Sequence, residues 1–211
     1  MEERHSLREL ATIPTGERFE LPLHREVGNI TVEEAIARRR SVRTFLPEPM
    51  HLYALANLLW AAQGVTSADG RRAAPSAGAC YPLETYFVCE HGLFRYVPGD
   101  PHSAVRLGAD DIRAKLAKAC LEQDFVAQAP LSIIFAAVYE RTTGRYGERG
   151  IRYVHMDVGH AAENVHLQAE ALGLGSCPVG AFNDKAVEEV LRLPAEQKPV
   201  YIVPVGVKRE G

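Results

Sequence analysis

The densest group of side chains able to bind an anion is a run of arginines near residue 40. Residues 38–43 read Arg-Arg-Arg-Ser-Val-Arg, so four guanidinium groups and one hydroxyl fall within six positions. Guanidinium groups bind phosphate oxygens in pairs, and cations this close repel one another unless an anion lies between them. Basic residues also stabilise the C-terminal end of a helix, by about 0.3 to 1 kcal/mol each. The run therefore indicates either a phosphate site or a solvated basic corner at a helix end.

Two further segments are rich in small residues. Residues 74–82 read Ala-Pro-Ser-Ala-Gly-Ala-Cys-Tyr-Pro. Two prolines fix such a loop and small side chains let a flat ligand approach the backbone, although a plain structural connection is the alternative. Residues 173–182 read Gly-Leu-Gly-Ser-Cys-Pro-Val-Gly-Ala-Phe. These glycines follow a predicted helix rather than a strand, so they do not form the dinucleotide-binding turn of a Rossmann fold.

The histidines do not form a recognisable metal site. His155, His160 and His166 share one predicted helix with Asp157 and Glu163. The first two histidines lie five positions apart and so point to different faces, and the His-Glu-x-x-His motif is absent. Capping, core or interface roles fit these histidines better. We therefore expect no metal site.

Charge and composition exclude other classes of protein. The chain has 24 Lys and Arg against 27 Asp and Glu, whereas nucleic-acid-binding domains usually carry a basic excess. Uncharged stretches are shorter than the roughly 18 to 20 apolar residues of a membrane span, and the first residues lack the order of a secretory signal. Four scattered cysteines indicate free thiols, and no base accompanies Cys80 as a nucleophile. We expect no nucleic-acid partner, no membrane span and a cytoplasmic location.

Hydrophobic periodicity predicts the elements that must position these segments. The sequence Thr-Val-Glu-Glu from residue 31 fits a capping box and predicts a helix to about Arg40. Apolar residues at helical spacing predict a second helix from Leu52 to about Gly64. Further helices are predicted at residues 110–120, 151–172 and 183–193, a hairpin of strands at 83–89 and 93–97, and strands at 131–139 and 200–205.

The order of these elements indicates the fold class. Helices and strands are interleaved irregularly, which is typical of an α+β domain rather than a βαβ barrel. The helix at 151–172 is apolar around much of its circumference, which indicates burial on several sides. Residues 1–28 are polar, contain two prolines and are interpreted as an N-terminal arm, with one domain at 29–211.

Three motifs, in their order and spacing, resemble the nitroreductase family of flavoproteins. They are Arg-Arg-Ser-Val-Arg-Thr-Phe at 39–45, Pro-Ser-Ala-Gly-Ala-Cys-Tyr-Pro-Leu-Glu at 75–84, and Gly-Leu-Gly-Ser at 173–176. The second motif, the Leu-Phe-Arg-Tyr hairpin strand and Asp-Val-Gly-His at 157–160 more closely resemble the SagB-type branch, which includes azoline dehydrogenases of peptide maturation. The resemblance covers about residue 28 to the C-terminus.

The resemblance implies a nitroreductase-like α+β fold with a central antiparallel or mixed sheet flanked by helices. It further implies an intertwined homodimer, with the long helix at its centre and two FMN sites at the subunit interface. FMN would be the cofactor and NAD(P)H the co-substrate. Hydride would pass through flavin N5 to a small organic acceptor such as a nitro compound or a quinone.

The resemblance also assigns cofactor-binding roles by matching positions. The arginine run would bind the FMN phosphate and ribityl chain, and its last arginine would lie at the pyrimidine edge, where a cation favours the reduced flavin. The proline-serine loop would contact the isoalloxazine ring from the partner subunit, residues 178–180 would pass near N5, and the C-terminal basic pair would complete the phosphate clamp. The assigned residues are Arg39, Arg40, Ser41, Arg43, Pro75, Ser76, Ala77, Gly78, Pro178, Val179, Gly180, Lys208 and Arg209.

Two departures from the family pattern are visible. Gly78 and Ala79 stand where many members have asparagine, and the glutamate that some members place before the glycine near N5 is absent. Hydride transfer itself needs no side-chain acid or base, so no catalytic residue is assigned. The alternatives are a SagB-type dehydrogenase that oxidises thiazoline or oxazoline rings in peptides, and a non-enzymatic flavin-binding protein.

Overall fold

A seven-stranded sheet lies at the centre of the computed structural model, which describes residues 13–14, 17–24 and 27–209. Its spatial order is β1-β4-β3-β2-β5-β7-β6, and every neighbouring pair is antiparallel. The strands are β1 (Arg18–Glu20), β2 (Leu83–Cys89), β3 (Gly92–Val97), β4 (Ser103–Gly108), β5 (Leu131–Ala137), β6 (Leu174–Ser176) and β7 (Lys198–Val207). Strand β5 is buried at every residue, which fits its nearly continuous apolar sequence.

Helices cover both faces of this sheet. They are α1 (Val32–Arg38), α2 (Leu52–Gln63), α3 (Arg113–Ala119), α4 (Asp124–Gln128), α5 (Glu140–Tyr146), α6 (Arg149–Ala171) and α7 (Asp184–Leu191), with a 3-10 turn at Ala77–Ala79. Alternate residues of β5 point to opposite faces. Ile133 and Phe135 therefore join the core under α2 and α6, while Ile134 joins the core under α3 and α7.

Most of the predicted elements are confirmed within a few residues. The capping box is present, since Glu34 N donates to Thr31 Oγ1 at 3.2 Å and Thr31 N donates to Glu34 Oε2 at 2.9 Å. The Asn183 cap is present too, because its side chain accepts a hydrogen bond from Ala186 N. The hairpin of β2 and β3, the central strand β5 and the long helix α6 are all found. The α+β fold class is thus confirmed.

The prediction was wrong for the polar connection after β3. That segment contains β4, which pairs with β3 on one side and with β1 on the other. Strand β1 lies inside the predicted N-terminal arm, most of whose remaining residues fall outside the described ranges. Strand β4 shows no clean alternation of buried and exposed residues, and β1 has only three residues, so neither strand carries a usable period-two signal. The short elements α4, α5 and β6 were also missed.

Helix α6 buries one broad face of small side chains. Val154, Val158 and Val165 are buried against the sheet, whereas Ile151 and Met156 are 44% and 51% exposed. The burial expected on several sides is therefore not provided by one chain. Neither α6 nor any other helix within the described ranges combines the length and the apolar character needed to cross a membrane.

Gly150, in the first turn of α6, marks a close contact with α5. A Cβ at Gly150 would lie 2.9 Å from backbone atoms of Thr142 and Thr143, which cannot rotate away as a side chain can. We expect Gly150→Ala to lower the free energy of unfolding, measured by urea denaturation, by about 1 to 3 kcal/mol. Gly144→Ala is the matched control, because open space surrounds that α5 position and alanine should stabilise it by up to about 1 kcal/mol. Equal stability of the two variants would contradict the close contact.

Candidate functional site

The segment that follows α1 runs along the β6 edge of the sheet. Val42 N donates to Ser176 O of β6 at 3.0 Å, and Phe45 forms an antiparallel bridge with Lys208 just after β7. The structure therefore brings the arginine run and the C-terminal basic pair to the same edge. This closeness depends on the tertiary fold, since the two segments are far apart in sequence.

The four arginines of the run make different contacts. Arg38 pairs with Glu34 one turn earlier, at 3.0 Å on the exposed surface. Arg40 Nη1 donates to the carbonyls of Ala37 at 3.0 Å and Arg39 at 2.7 Å. Arg38 and Arg40 thus complement the C-terminal end of α1 as the alternative interpretation expected. Arg39 and Arg43 are not used in this way.

Two glutamates of α6 hold cations at this edge. Arg39 Nε lies 3.9 Å from Glu163 Oε1, and Lys208 Nζ lies 2.6 Å from Glu170 Oε2. Glu163 and Glu170 are seven residues apart, which places them on one helix face about 10 Å apart along the axis. Glu170 is the more buried of the two, so its ion pair is the stronger constraint. The looser contact leaves the Arg39 guanidinium open to a further anion.

A buried imidazole supports the edge from beneath. His166 Nδ1 lies 2.7 Å from Ser176 Oγ, and the ring is 3% exposed. Burial, together with the positive charge of Arg39, lowers the pKa of His166 to about 4, so the ring is neutral at neutral pH. The segment at Val42 lies very close to the edge strand, because a Cβ on Gly175 would approach Val42 Cβ to 2.7 Å. The Gly-Leu-Gly-Ser motif thus lets the arginine run pack closely against the edge of the sheet.

Arg43 lies at the exposed end of this segment. Its guanidinium carbon is 5.8 Å from the centroid of the Phe125 ring, a cation–π contact. The nearby Cys177 is buried, and burial raises the pKa of its thiol. Arg43 therefore offers a positive charge beside a thiol that stays protonated at neutral pH.

Residues 178–180 extend the same edge beyond β6. Val179 is buried and exchanges backbone hydrogen bonds with Ile202 of β7, at 2.7 and 3.1 Å. Gly180 is exposed and lies beside the Tyr201 ring. This segment therefore presents a wall on which only Pro178 and Gly180 are accessible, and it follows Cys177, which lies near Arg43.

The proline-serine loop lies on a different part of α6. Ser76 Oγ donates to Asp157 Oδ2 at 2.6 Å, and Ala77 N donates to Asp157 Oδ1 at 3.3 Å. Gly78 has a φ of +58°, which glycine adopts without strain. Pro75, Ser76 and Ala77 line a surface cavity of about 270 Å³ with residues of α6. A larger cavity of about 470 Å³, between α1, α2 and α6, contains none of the predicted site residues.

The arginine run and the C-terminal basic pair, Lys208 and Arg209, together form what we call the cationic edge. The proline-serine loop and the cationic edge contact different faces of α6. Asp157 and Glu163 are six residues apart, which corresponds to about 9 Å along the axis and about a third of a turn around it. The loop is held by Asp157, whereas Arg39 is held by Glu163. The predicted site residues therefore form two separate groups at this helix within one chain.

No group of three or more His, Cys, Asp or Glu side chains in the described part of the chain is arranged to hold a metal ion. His155 Nε2 instead lies 3.0 Å from the Tyr139 hydroxyl, and His166 contacts Ser176. His160 lies exposed beside the cavity under the loop. The three histidines thus have separate neighbours.

Several residues that organise the site were not among the site residues assigned from the sequence. They are Asp157, Glu163, His166, Glu170, Gly175 and Ser176. Asp157, Glu163 and His166 were considered as metal ligands, and Asp157, Gly175 and Ser176 belong to motifs that carry the family resemblance, but none was given a role in the site. The usable signal was the seven-residue spacing of Glu163 and Glu170, which places two carboxylates on one face of a predicted helix.

Comparison with known proteins identifies relatives along almost the whole chain. "Putative nitroreductase MJ1384" of Methanocaldococcus jannaschii is 44% identical over 201 residues, which cover 92% of this chain and 100% of that protein. The crystal structure of a protein with the same general designation from Ralstonia eutropha JMP134 superposes with a TM-score of 0.83. It is 28% identical and the match covers 95% of this chain and 94% of that one.

A second relative is matched over a shorter part. The trifolitoxin-processing protein TfxB of Rhizobium leguminosarum bv. trifolii is 33% identical over 133 residues, which cover 58% of this chain and 36% of TfxB.

The family model described as "Nitroreductase family" matches residues 36–207. This span includes the arginine run, the proline-serine loop and α6, and it shows that the chain belongs to the nitroreductase family of oxidoreductases.

Proposed function

We propose that the chain is an FMN-dependent oxidoreductase that uses NAD(P)H to reduce a small organic acceptor, such as a nitro compound or a quinone. The observation that supports this proposal most strongly is that Arg39, Arg43 and Lys208 lie at the same edge of the sheet. FMN, when bound, supplies reversible hydride transfer. The residues of this chain bind and orient it.

The cationic edge has the chemistry that a phosphate group needs. Arg39, Lys208 and Arg209 bring positive charge to the edge, and Glu163 and Glu170 neutralise only part of it. The loose Arg39 contact leaves guanidinium donors for an oxyanion. The Ser41 hydroxyl belongs to the exposed stretch beside β6 and is a further donor.

The neighbouring wall suits a flat ring. Residues 178–180 have small side chains, so a planar group can approach the backbone there. Arg43 places a positive charge beside this wall, and a cation near a flavin ring favours its reduced, more negative form. The protonated Cys177 thiol provides no base. In this proposal the chain orients the ring and its partners and does not itself transfer protons in the hydride step.

We propose further that the working unit is a homodimer, in which the loop at residues 75–78 of one subunit completes the cationic edge of the other. Two features support this. The two groups contact different faces of α6 within one chain. In addition, Val32, Ile36, Ile151 and Met156 are large apolar residues left exposed on α1 and α6, and a second subunit would bury them.

The similarity to TfxB favours one second candidate, a SagB-type dehydrogenase acting on azoline rings in peptides. Purified protein bound to FMN would be assayed for NAD(P)H oxidation with quinone and nitroaromatic acceptors, and separately for oxidation of a thiazoline peptide. Turnover with NAD(P)H supports the first candidate, and turnover of the peptide alone supports the second. FMN binding without either activity would instead favour a non-enzymatic flavin-binding protein.

Arg39→Ala tests the phosphate assignment. Loss of a charge-assisted contact should raise the Kd for FMN about 10- to 100-fold, while the Kd for riboflavin, which lacks the phosphate, should stay unchanged. Both are measured by fluorescence quenching. Arg38→Ala is the matched control, because Arg38 already pairs with Glu34 at the surface. Equal losses in the two variants, or unchanged FMN binding by Arg39→Ala, would show that the phosphate lies elsewhere.

Met156→Glu tests the dimer. A carboxylate placed on the exposed face of α6 should convert a dimer to monomers in analytical ultracentrifugation and release FMN, because burying an unpaired charge is costly. Leu107→Glu is the control, since Leu107 is similarly exposed but lies on β4. Wild-type protein that sediments as a monomer and still binds FMN would contradict the shared site.

A further inference from the structure

We propose that Asp157 is a positioning residue, which presets the proline-serine loop for the flavin ring, and that the Ser76 hydroxyl acts on the loop and not on the flavin. This inference rests on the FMN-binding function proposed above. It changes the role of Ser76, which the family resemblance treats as a cofactor contact. The carboxylate itself lies on α6, outside the set of residues that the resemblance assigns.

Asp157 uses both of its oxygens to hold the loop. Oδ2 accepts the Ser76 hydroxyl at 2.6 Å, and Oδ1 accepts Ala77 N at 3.3 Å. The residue is 4% exposed, and within the described ranges no cation forms an ion pair with its carboxylate. Burial penalises the charged form of a carboxylate and raises the pKa of Asp157, and the hydrogen bonds from Ser76 and Ala77 are the main contacts that oppose this penalty.

The hydroxyl of Ser76 has no proton left for a ligand. A serine hydroxyl has one donor, and Ser76 gives it to Asp157 while accepting Tyr81 N at 2.9 Å. The amides of Ala79 and Cys80 are also bonded within the loop, to Ser76 O and Ala77 O. The side chain of Ser76 therefore fixes the shape of the loop, and the loop offers a ligand its small apolar surface.

The loop needs such a clamp because its backbone is strained. Ala79 and Tyr81 have φ values of +53° and +46°, in the left-handed region that side chains disfavour. Such residues cost on the order of 1 kcal/mol or more each and persist only where their surroundings hold them. Tyr81 N is bonded to Ser76, which in turn is bonded to Asp157. One buried carboxylate thus stabilises the strained conformation through a two-step network.

Hydrogen exchange on the flavin-free protein tests the clamp. Asp157→Asn keeps the shape of the side chain and removes its charge, so the amides of Ala77 and Tyr81 should both exchange at least about tenfold faster. Ser76→Ala removes the acceptor of Tyr81 N and the hydroxyl donor to Asp157 Oδ2, but it leaves Asp157 Oδ1 to accept Ala77 N. Tyr81 should therefore exchange faster while Ala77 keeps its protection. Asp110→Asn, an exposed carboxylate elsewhere, is the control. Unchanged exchange at Tyr81 in both loop variants would overturn the proposal.

Flavin binding then separates positioning from a merely structural role. Asp157→Asn and Ser76→Ala change the loop that would contact the flavin ring, so each should raise the Kd of FMN and of riboflavin by the same factor, about tenfold. Arg39→Ala, in contrast, should raise the Kd of FMN alone. The two loop variants should not be additive in the double variant, because they break one network. If Asp157→Asn folds poorly, Ser76→Ala alone carries the test.

The outcomes are distinguishable. Faster exchange with unchanged FMN and riboflavin affinity would overturn the positioning role and leave the FMN function intact. A loss for FMN alone would show that Asp157 acts on the phosphate and would also overturn it. Wild-type protein that binds neither flavin would refute the FMN function and the positioning role together, while the exchange pattern would still report on the clamp.

Discussion

The site depends on the carboxylates of one helix. Asp157, Glu163 and Glu170 project from α6, and each holds a segment that approaches from a different part of the chain. The first holds the proline-serine loop, the second the start of the arginine run, and the third the end of β7. The packing of α6 on the sheet therefore sets the relative positions of all three segments.

Two of these carboxylates explain how a mildly acidic protein can gather cations for the proposed anion site. Cations gathered at one edge repel one another, and the two glutamates reduce that repulsion without cancelling it. The Lys208–Glu170 pair is short and its glutamate is mostly buried, whereas the Arg39–Glu163 contact is long and its glutamate is exposed. In the proposed function the first pair fixes the geometry of the edge and the second leaves a guanidinium for the phosphate. The neutral His166 supports the edge without adding charge.

The sequence alone was sufficient to predict those helices and strands whose signal is local or periodic. The Thr31 capping box, the Asn183 cap, the hairpin and α6 follow from patterns within a few residues of each other. Strands β1 and β4 were missed because β1 has only three residues and β4 does not alternate, so both are defined by their pairing partners. At the site, the residues assigned by resemblance fall into two groups, but the carboxylates that hold them were not found. The contacts of Asp157 with Ser76 and of Glu170 with Lys208 join residues 81 and 38 positions apart, which no local pattern encodes.

The central claim is that each flavin site takes its cations from one subunit and its loop from the other. The direct test is the number of tightly bound FMN molecules in a purified heterodimer of an Arg39→Ala subunit and a Ser76→Ala subunit, carrying different tags. A shared site leaves one intact pairing of wild-type cations with a wild-type loop, so we expect one tightly bound FMN per heterodimer and none in either variant homodimer. A heterodimer that binds no FMN tightly would contradict the account, because sites contained within single chains would all be damaged.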